Sequence, residues 1–167
     1  MNRTILYICV FSAFFAGSAI FPNILLSQGE FNKWYFGHYV GMDFNGGNPI
    51  TIPNNNQWYG ASCDVSVSDS LGNLLFSAGP FFIFNRNQVI MPNGTNLLGN
   101  PSGMGQPNLA VQKLNDDSSY YLFTVGTNSY PNFDESPLLY SVVDMRLDGG
   151  MGDIVIGQKN LPVPGAE

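Results

Sequence analysis

At 167 residues, with 44% hydrophobic and 14% aromatic content, the chain is too apolar to remain disordered and long enough to bury a core. Only 11% of residues are charged, well below the roughly 25% of an ordinary soluble domain. Turn-forming Gly, Asn, Ser and Pro fill the gap, which suits strands joined by turns rather than Lys- and Glu-rich surface helices. The net charge of −6, with cations scattered at Lys33, Arg86, Lys113, Arg146 and Lys159 beyond the first thirty residues, excludes nucleic acid and anionic membrane surfaces as partners, since both demand a basic patch.

Residues 1–29 read as a secretory signal peptide. Arg3 precedes an apolar run from Ile5 to Ala16 and the small residues Gly17-Ser18-Ala19, the order of a basic region, a hydrophobic region and a cleavage site. Apolar character resumes at Ile20-Phe21 and Ile24-Leu25-Leu26, so an uncleaved anchor of about 20 residues is the alternative on length. Pro22-Asn23 interrupts that run and no basic cluster follows it, which favours cleavage, after Ala19 or Gln28. The expected product is secreted or held at the cell surface and is not an integral membrane protein. Its single cysteine, Cys63, permits neither an internal disulfide nor a cysteine-based zinc site. A small buried hydrophobe is the favoured reading of Cys63 over a reactive thiol, because nothing basic lies near it in sequence.

The remainder, residues 30–167, reads as strands. Trp34-Tyr35-Phe36 opens it, and Ala61–Ser68 alternates small or apolar residues with polar ones at the period of a half-buried strand. A turn at Leu71-Gly72-Asn73 leads into Leu74–Ala78, followed by Phe81–Phe84 and Gln88–Met91, the latter ended by Pro92-Asn93-Gly94. Thr95–Asn108, rich in Gly, Pro and Asn, reads as a connection before a second set of four: Leu109–Leu114, Tyr120–Val125, Leu138–Met145 and Ile154–Gln158. Asn73–Gly79 (NLLFSAG) returns 47 residues later as Tyr120–Gly126 (YYLFTVG), each copy preceded by a polar turn, Ser68–Gly72 and Asn115–Ser119. That period is the spacing of a β-propeller blade. The expected fold is all-β: a partial β-propeller-like array of about two four-stranded antiparallel blades. Propellers close with about four to eight blades, so truncation at the C-terminal end is expected, with self-association through exposed strand edges.

Candidate chemistry is sparse, and no metal or cofactor is expected. His38 is the only histidine, so a multi-histidine metal site is excluded and a triad would have to use this residue, which no nucleophile-elbow motif accompanies. Gly149-Gly150-Met151-Gly152-Asp153 is similar to a calcium-binding nonapeptide but occurs once, and such sites need stacked copies, so a turn is expected. Among the carboxylates Asp64, Asp69, Asp144 and Asp153, the weak catalytic candidates are Asp144 and Asp64. A turn role is expected for Asp69, and pairing with Arg146 for Asp144. Trp58 and Tyr59 follow the Asn-rich turn Pro53–Gln57 and are the candidate ligand-binding pair, since flat rings stack on sugar faces. Trp34 and Tyr35 are expected to pack in the core.

The joint order of several motifs resembles a known family. Trp34-Tyr35-Phe36-Gly37, Gly41-Met42-Asp43-Phe44, Gly72-Asn73-Leu74-Leu75-Phe76, Met91-Pro92-Asn93-Gly94 and Leu98-Gly99-Asn100-Pro101 are followed by Tyr120–Val125, Tyr140–Met145 and Leu147–Asp153. Together they are similar to the N-terminal region of exported Bacteroidetes-type proteins associated with gliding motility and with type IX secretion (type B) sorting domains. Two departures stand out: Ala78-Gly79-Pro80 replaces the usual aspartate-glycine turn, and Phe84 stands where Trp is common. The resemblance implies a propeller-like region, an exterior address and no assigned reaction. The expected function is an exported non-catalytic surface or adhesion module, part of a larger protein, binding an extracellular glycan or protein. The alternative is a secreted carbohydrate-active enzyme fragment whose carboxylates are completed by missing blades.

Overall fold

The computed structural model describes residues 29–36, 40–53, 65–100, 108–126 and 137–166. The signal segment up to Gln28, His38, Trp58, Tyr59, Cys63 and Asp64 lie outside the described residues.

The chain is all-β, with three antiparallel sheets and two short 3-10 turns, Gly29–Phe31 and Asp148–Gly150. The first sheet has the order β1 (Lys33–Phe36), β2 (Val40–Asp43), β3 (Ile50–Pro53). Lys33 and Asp43 are opposite each other in its register and form an ion pair of 2.7 Å. The second sheet is β4 (Val65–Ser68), β5 (Leu74–Ala78), β6 (Ile83–Asn85). The third runs β10 (Asp153–Ile154), β9 (Leu138–Asp144), β8 (Asp116–Val125), β7 (Asn108–Lys113), with β11 (Leu161–Pro162) also pairing β9. The described sheets close into neither a barrel nor a propeller, and they hold three, three and five strands where two sheets of four were expected.

Turn chemistry sets the entry to β5. The Asp69 carboxylate accepts hydrogen bonds from the backbone N–H of Leu71 (2.9 Å) and Asn73 (2.8 Å), the side-chain turn expected of an aspartate there. Gly72 has φ 81°, and a Cβ on it would collide with the Asn45 side chain, so this position needs glycine twice over. From there the alternation of β5 sends Phe76 and Ala78 into the core together with Ile83 of β6.

The core lies where the second and third sheets meet. Phe76, Ala78 and Ile83 cluster with Tyr120, Leu122 and Val143, and Phe76 meets Tyr120 edge-on at 5.4 Å between ring centroids. Met91, Leu97, Met145 and Ile154 belong to the same buried cluster. Polar ties reinforce the join: the buried Asp153 carboxylate accepts from the Asn93 backbone N–H (2.8 Å) and Nδ2 (2.6 Å), and Lys159 Nζ donates to the Asn93 carbonyl (3.0 Å).

Several boundaries differ from the sequence expectation for physical reasons. Gln88–Met91 forms no strand: Gln88 adopts φ 59°, and only Ile90 bridges back to Phe84, so this stretch is the return limb of a tight turn. The polar segment at Asn115–Ser119 is mostly strand. The turn is confined to Leu114-Asn115, with Asn115 at φ 61°, and β8 begins at Asp116. A register shift between Gln112 and Lys113 absorbs the extra residues. Ile154–Gln158 leaves the sheet after Ile154, as Gln158 donates back to the Val155 carbonyl and Gly157 takes φ 77°. After Pro92-Asn93-Gly94 the chain takes positive φ at Asn96, at 57°.

Candidate contact surface

Apolar residues of both parities on β8 produce two covered or coverable faces. Tyr120, Leu122 and Thr124 point inward and are buried, while Tyr121, Phe123 and Val125 alternate onto the opposite face and are half-buried. The register extends that outer face across the sheet. Leu109, Phe123, Tyr140 and Leu161 form one row over β7, β8, β9 and β11. Val111, Tyr121 and Val142 form the next, and Val125 pairs with Leu138 on the other side. On the edge strand β7, Leu109 is 51% and Val111 44% exposed. Three aromatic rings stand in the middle, with Tyr121 6.2 Å from Phe123 and 6.0 Å from Tyr140 by centroid.

A charged cluster closes one end. Ser119 lies opposite Asp144 in register, two positions along from the Tyr121–Val142 pair. The Arg146 guanidinium reaches Asp144 from NH2 at 2.7 Å and from Nε at 2.9 Å, Asp116 at 3.2 Å and Ser119 Oγ at 3.3 Å. The bond from Arg146 holds the Asp144 carboxyl below the ordinary carboxylate range, and Arg146 is correspondingly raised. Hydrogen bonds from Ser119 and Ser118, with Arg146 nearby, hold Asp116 low as well. Both carboxyls are therefore anionic near neutral pH. Glycoside hydrolysis requires one carboxyl kept protonated, and this arrangement works in the opposite direction. Asp144 is thus placed as the ion-pair partner expected for it, with Asp116 as an added member that lies 30 residues away from Arg146 in sequence.

Asp153 stands opposite Asp144 in the β9–β10 register, whereas Asp69 lies in the turn between β4 and β5. Asp69 caps its turn and Asp153 ties two loops together. The Gly149–Asp153 segment is the 3-10 turn and bend linking β9 to β10, and among the described residues no group of three His, Cys, Asp or Glu side chains could hold a metal ion. Tyr35 is buried as expected. Trp34 is not: it is exposed on β1, its Nε1 donating to the Phe31 carbonyl at 2.7 Å and its ring tilted against Phe44 at 5.2 Å. The alternation of β1 turns Trp34 to the side opposite Tyr35. Among the described residues no helix is long and apolar enough to cross a membrane.

Sequence reasoning placed Tyr121, Phe123 and Tyr140 on strands without assigning them a contact role. The available signal was the run Tyr120–Val125, apolar at every position but Thr124, which marks a strand with apolar side chains on both faces. Compared with known protein families, with curated proteins and with solved structures, the chain matches none.

Proposed function

We propose that the chain is an exported, non-catalytic surface or adhesion module that binds an extracellular glycan or protein through the outer face of the β7–β9 sheet. The observation that carries this reading is the contiguous row Leu109–Phe123–Tyr140–Leu161 with Val111 and Tyr121 beside it. An apolar face this broad, rimmed by the Asp116–Arg146–Asp144 cluster, has the anatomy of a contact patch, with an apolar centre and a polar edge. Sheets stacked through apolar faces also suit the propeller-like arrangement that the blade-length period suggests. Export rests on the Arg3–Ala19 pattern and on the family resemblance.

Adsorption of the full mature chain to a panel of polysaccharides and to the envelope of producing cells tests the proposal, with hydrolysis measured in parallel. Adsorption without product, weakened at least several-fold by Tyr121→Ser with Tyr140→Ser, is the expected result. Hydrolysis products that vanish on Asp144→Asn would replace the binding reading with the enzymatic one.

A further inference from the structure

We infer that Asn45 is a site of spontaneous deamidation, and that its conversion to a carboxylate loosens the join between the first sheet and the second.

The sequence holds two Asn-Gly pairs, Asn45-Gly46 and Asn93-Gly94. A glycine, with no Cβ, lets its backbone nitrogen approach the preceding side chain closely. In deamidation that nitrogen bonds to the asparagine Cγ while its proton passes to hydroxide. The bond from Cγ to Nδ2 breaks, and the side-chain nitrogen leaves as ammonia after taking a proton from water. Water then opens the cyclic imide at either carbonyl, leaving aspartate or isoaspartate. The only co-reactant is water.

The fold treats the two pairs differently. Asn45 and Gly46 are exposed in the turn between β2 and β3. The Gly46 N–H makes no hydrogen bond among the described residues, and a Cβ there would meet nothing within 4 Å. Asn45 Oδ1 accepts from Asn32 Nδ2 at 2.9 Å. That donor faces the oxygen that gains negative charge as nitrogen adds to Cγ, and such a placement stabilises the adduct. At the second pair Gly94 is buried and its N–H donates to the Met91 carbonyl at 2.8 Å. The Asp153 carboxylate holds Asn93 by both its backbone N–H and its Nδ2. Cyclisation at Asn93 therefore has to break a buried hydrogen bond and pull the carboxamide off a carboxylate.

The amide at position 45 also carries structure. Its Nδ2 donates to the Gly72 carbonyl at 3.0 Å, so one side chain ties the β2–β3 turn both to Asn32 and to the turn that enters β5. A carboxylate has no hydrogen to give Gly72. It also sets a second negative charge two residues from Asp43, whose carboxylate accepts the Asn45 N–H at 2.8 Å. Isoaspartate adds a methylene to the backbone of the turn as well. Either product loses the tie to Gly72.

Incubating the full mature chain in oxygen-labelled water, followed by residue-level mass spectrometry, tests this, because opening the imide fixes one solvent oxygen. Label should enter at Asn45, and faster as the pH rises from neutral to alkaline. At Asn93 it should enter at least about ten-fold more slowly, the factor that one buried hydrogen bond adds to a barrier. In urea, with the fold lost, the two pairs should react at similar rates. Gly46→Ala, which meets open space and needs no left-handed φ, should fold as the wild type does and slow labelling at Asn45 several-fold. In Asn45→Asp, hydrogen exchange should quicken over residues 43–47 and 69–73 and stay unchanged in β8 and β9. Should that variant lose its fold, the deamidated wild-type fraction, separated by charge, gives the same reading. Labelling of Asn93 as fast as Asn45 in the folded chain overturns the inference. So does a folded chain unlabelled at Asn45 when the urea-unfolded chain takes up label there. Exchange left unchanged by the carboxylate overturns the loosening.

Discussion

Replacing Phe76 with alanine and, separately, Phe123 with alanine compares two residues at the same place in the recurring segment. Phe76 is fully buried, in edge contact with Tyr120 and surrounded by Ala78, Ile83 and Leu122. Truncating such a ring removes most of about 150–250 Å2 of buried surface and leaves a cavity that tight packing fills only in part. At about 25 cal/mol per Å2 plus the cavity contribution, the cost is about 3–5 kcal/mol. Phe123 is half-buried on the outer face, so about half the area is at stake and solvent occupies the space left behind. About 1–2 kcal/mol follows. Urea denaturation of the dilute chain reads both, since ΔΔG appears as a shift in midpoint at constant m-value. A small domain has about 5–15 kcal/mol in total, so Phe76→Ala should remove a large share of that stability and Phe123→Ala should not. Equal costs for the two would refute the assignment of one face to the core and the other to the surface.

Acid titration of thermal stability is a second test. Asp144, Asp116 and Asp43 all have carboxyls held below the ordinary range, by Arg146, by Ser119 and by Lys33 respectively. Their contribution is therefore complete above about pH 4 and is lost as pH falls through the lower folded-state values; Arg146→Ala should flatten this acid limb, and an unchanged limb would contradict the pairing. Thr124 is buried opposite Asn108 in the β7–β8 register, and its hydroxyl carries no hydrogen bond. Thr124→Val should be neutral or stabilising by up to about 1 kcal/mol in the same denaturation assay, because it removes a desolvated polar group at nearly constant volume. For export, intact-mass measurement of secreted material should show a chain lacking Ile5–Ala19; retention of Arg3 would favour the anchor instead.

Strands preceded by a chemically explicit turn were legible in the sequence. Leu74–Ala78 was bounded correctly because Asp69 and Gly72 fix the turn and an apolar run begins at once after it. The short strands β2 and β3 were not, since Gly41 and Asp43 weaken one and Pro53 ends the other, leaving nothing to distinguish four residues of strand from loop. Gln88–Met91 misled in the other direction: its composition suits a strand, but Gln88 at φ 59° turns the chain back on Ile83. Of the polar cluster, the near neighbour Arg146 could be read for Asp144, whereas Asp116 is brought in by the β8–β9 register alone. The outer aromatic face was hidden for a similar reason. Period-two alternation identifies two faces of β8, and only the stacking of the β4–β6 sheet decides which of them is left open.

Hydroxyl-radical footprinting of the full mature chain, dilute in solution and then bound at the producing cell's envelope, tests the contact surface most directly. The account requires protection concentrated on Tyr121, Phe123 and Tyr140, with Trp34 on β1 unchanged. Protection of Trp34 with the three β8–β9 rings unaltered would contradict it.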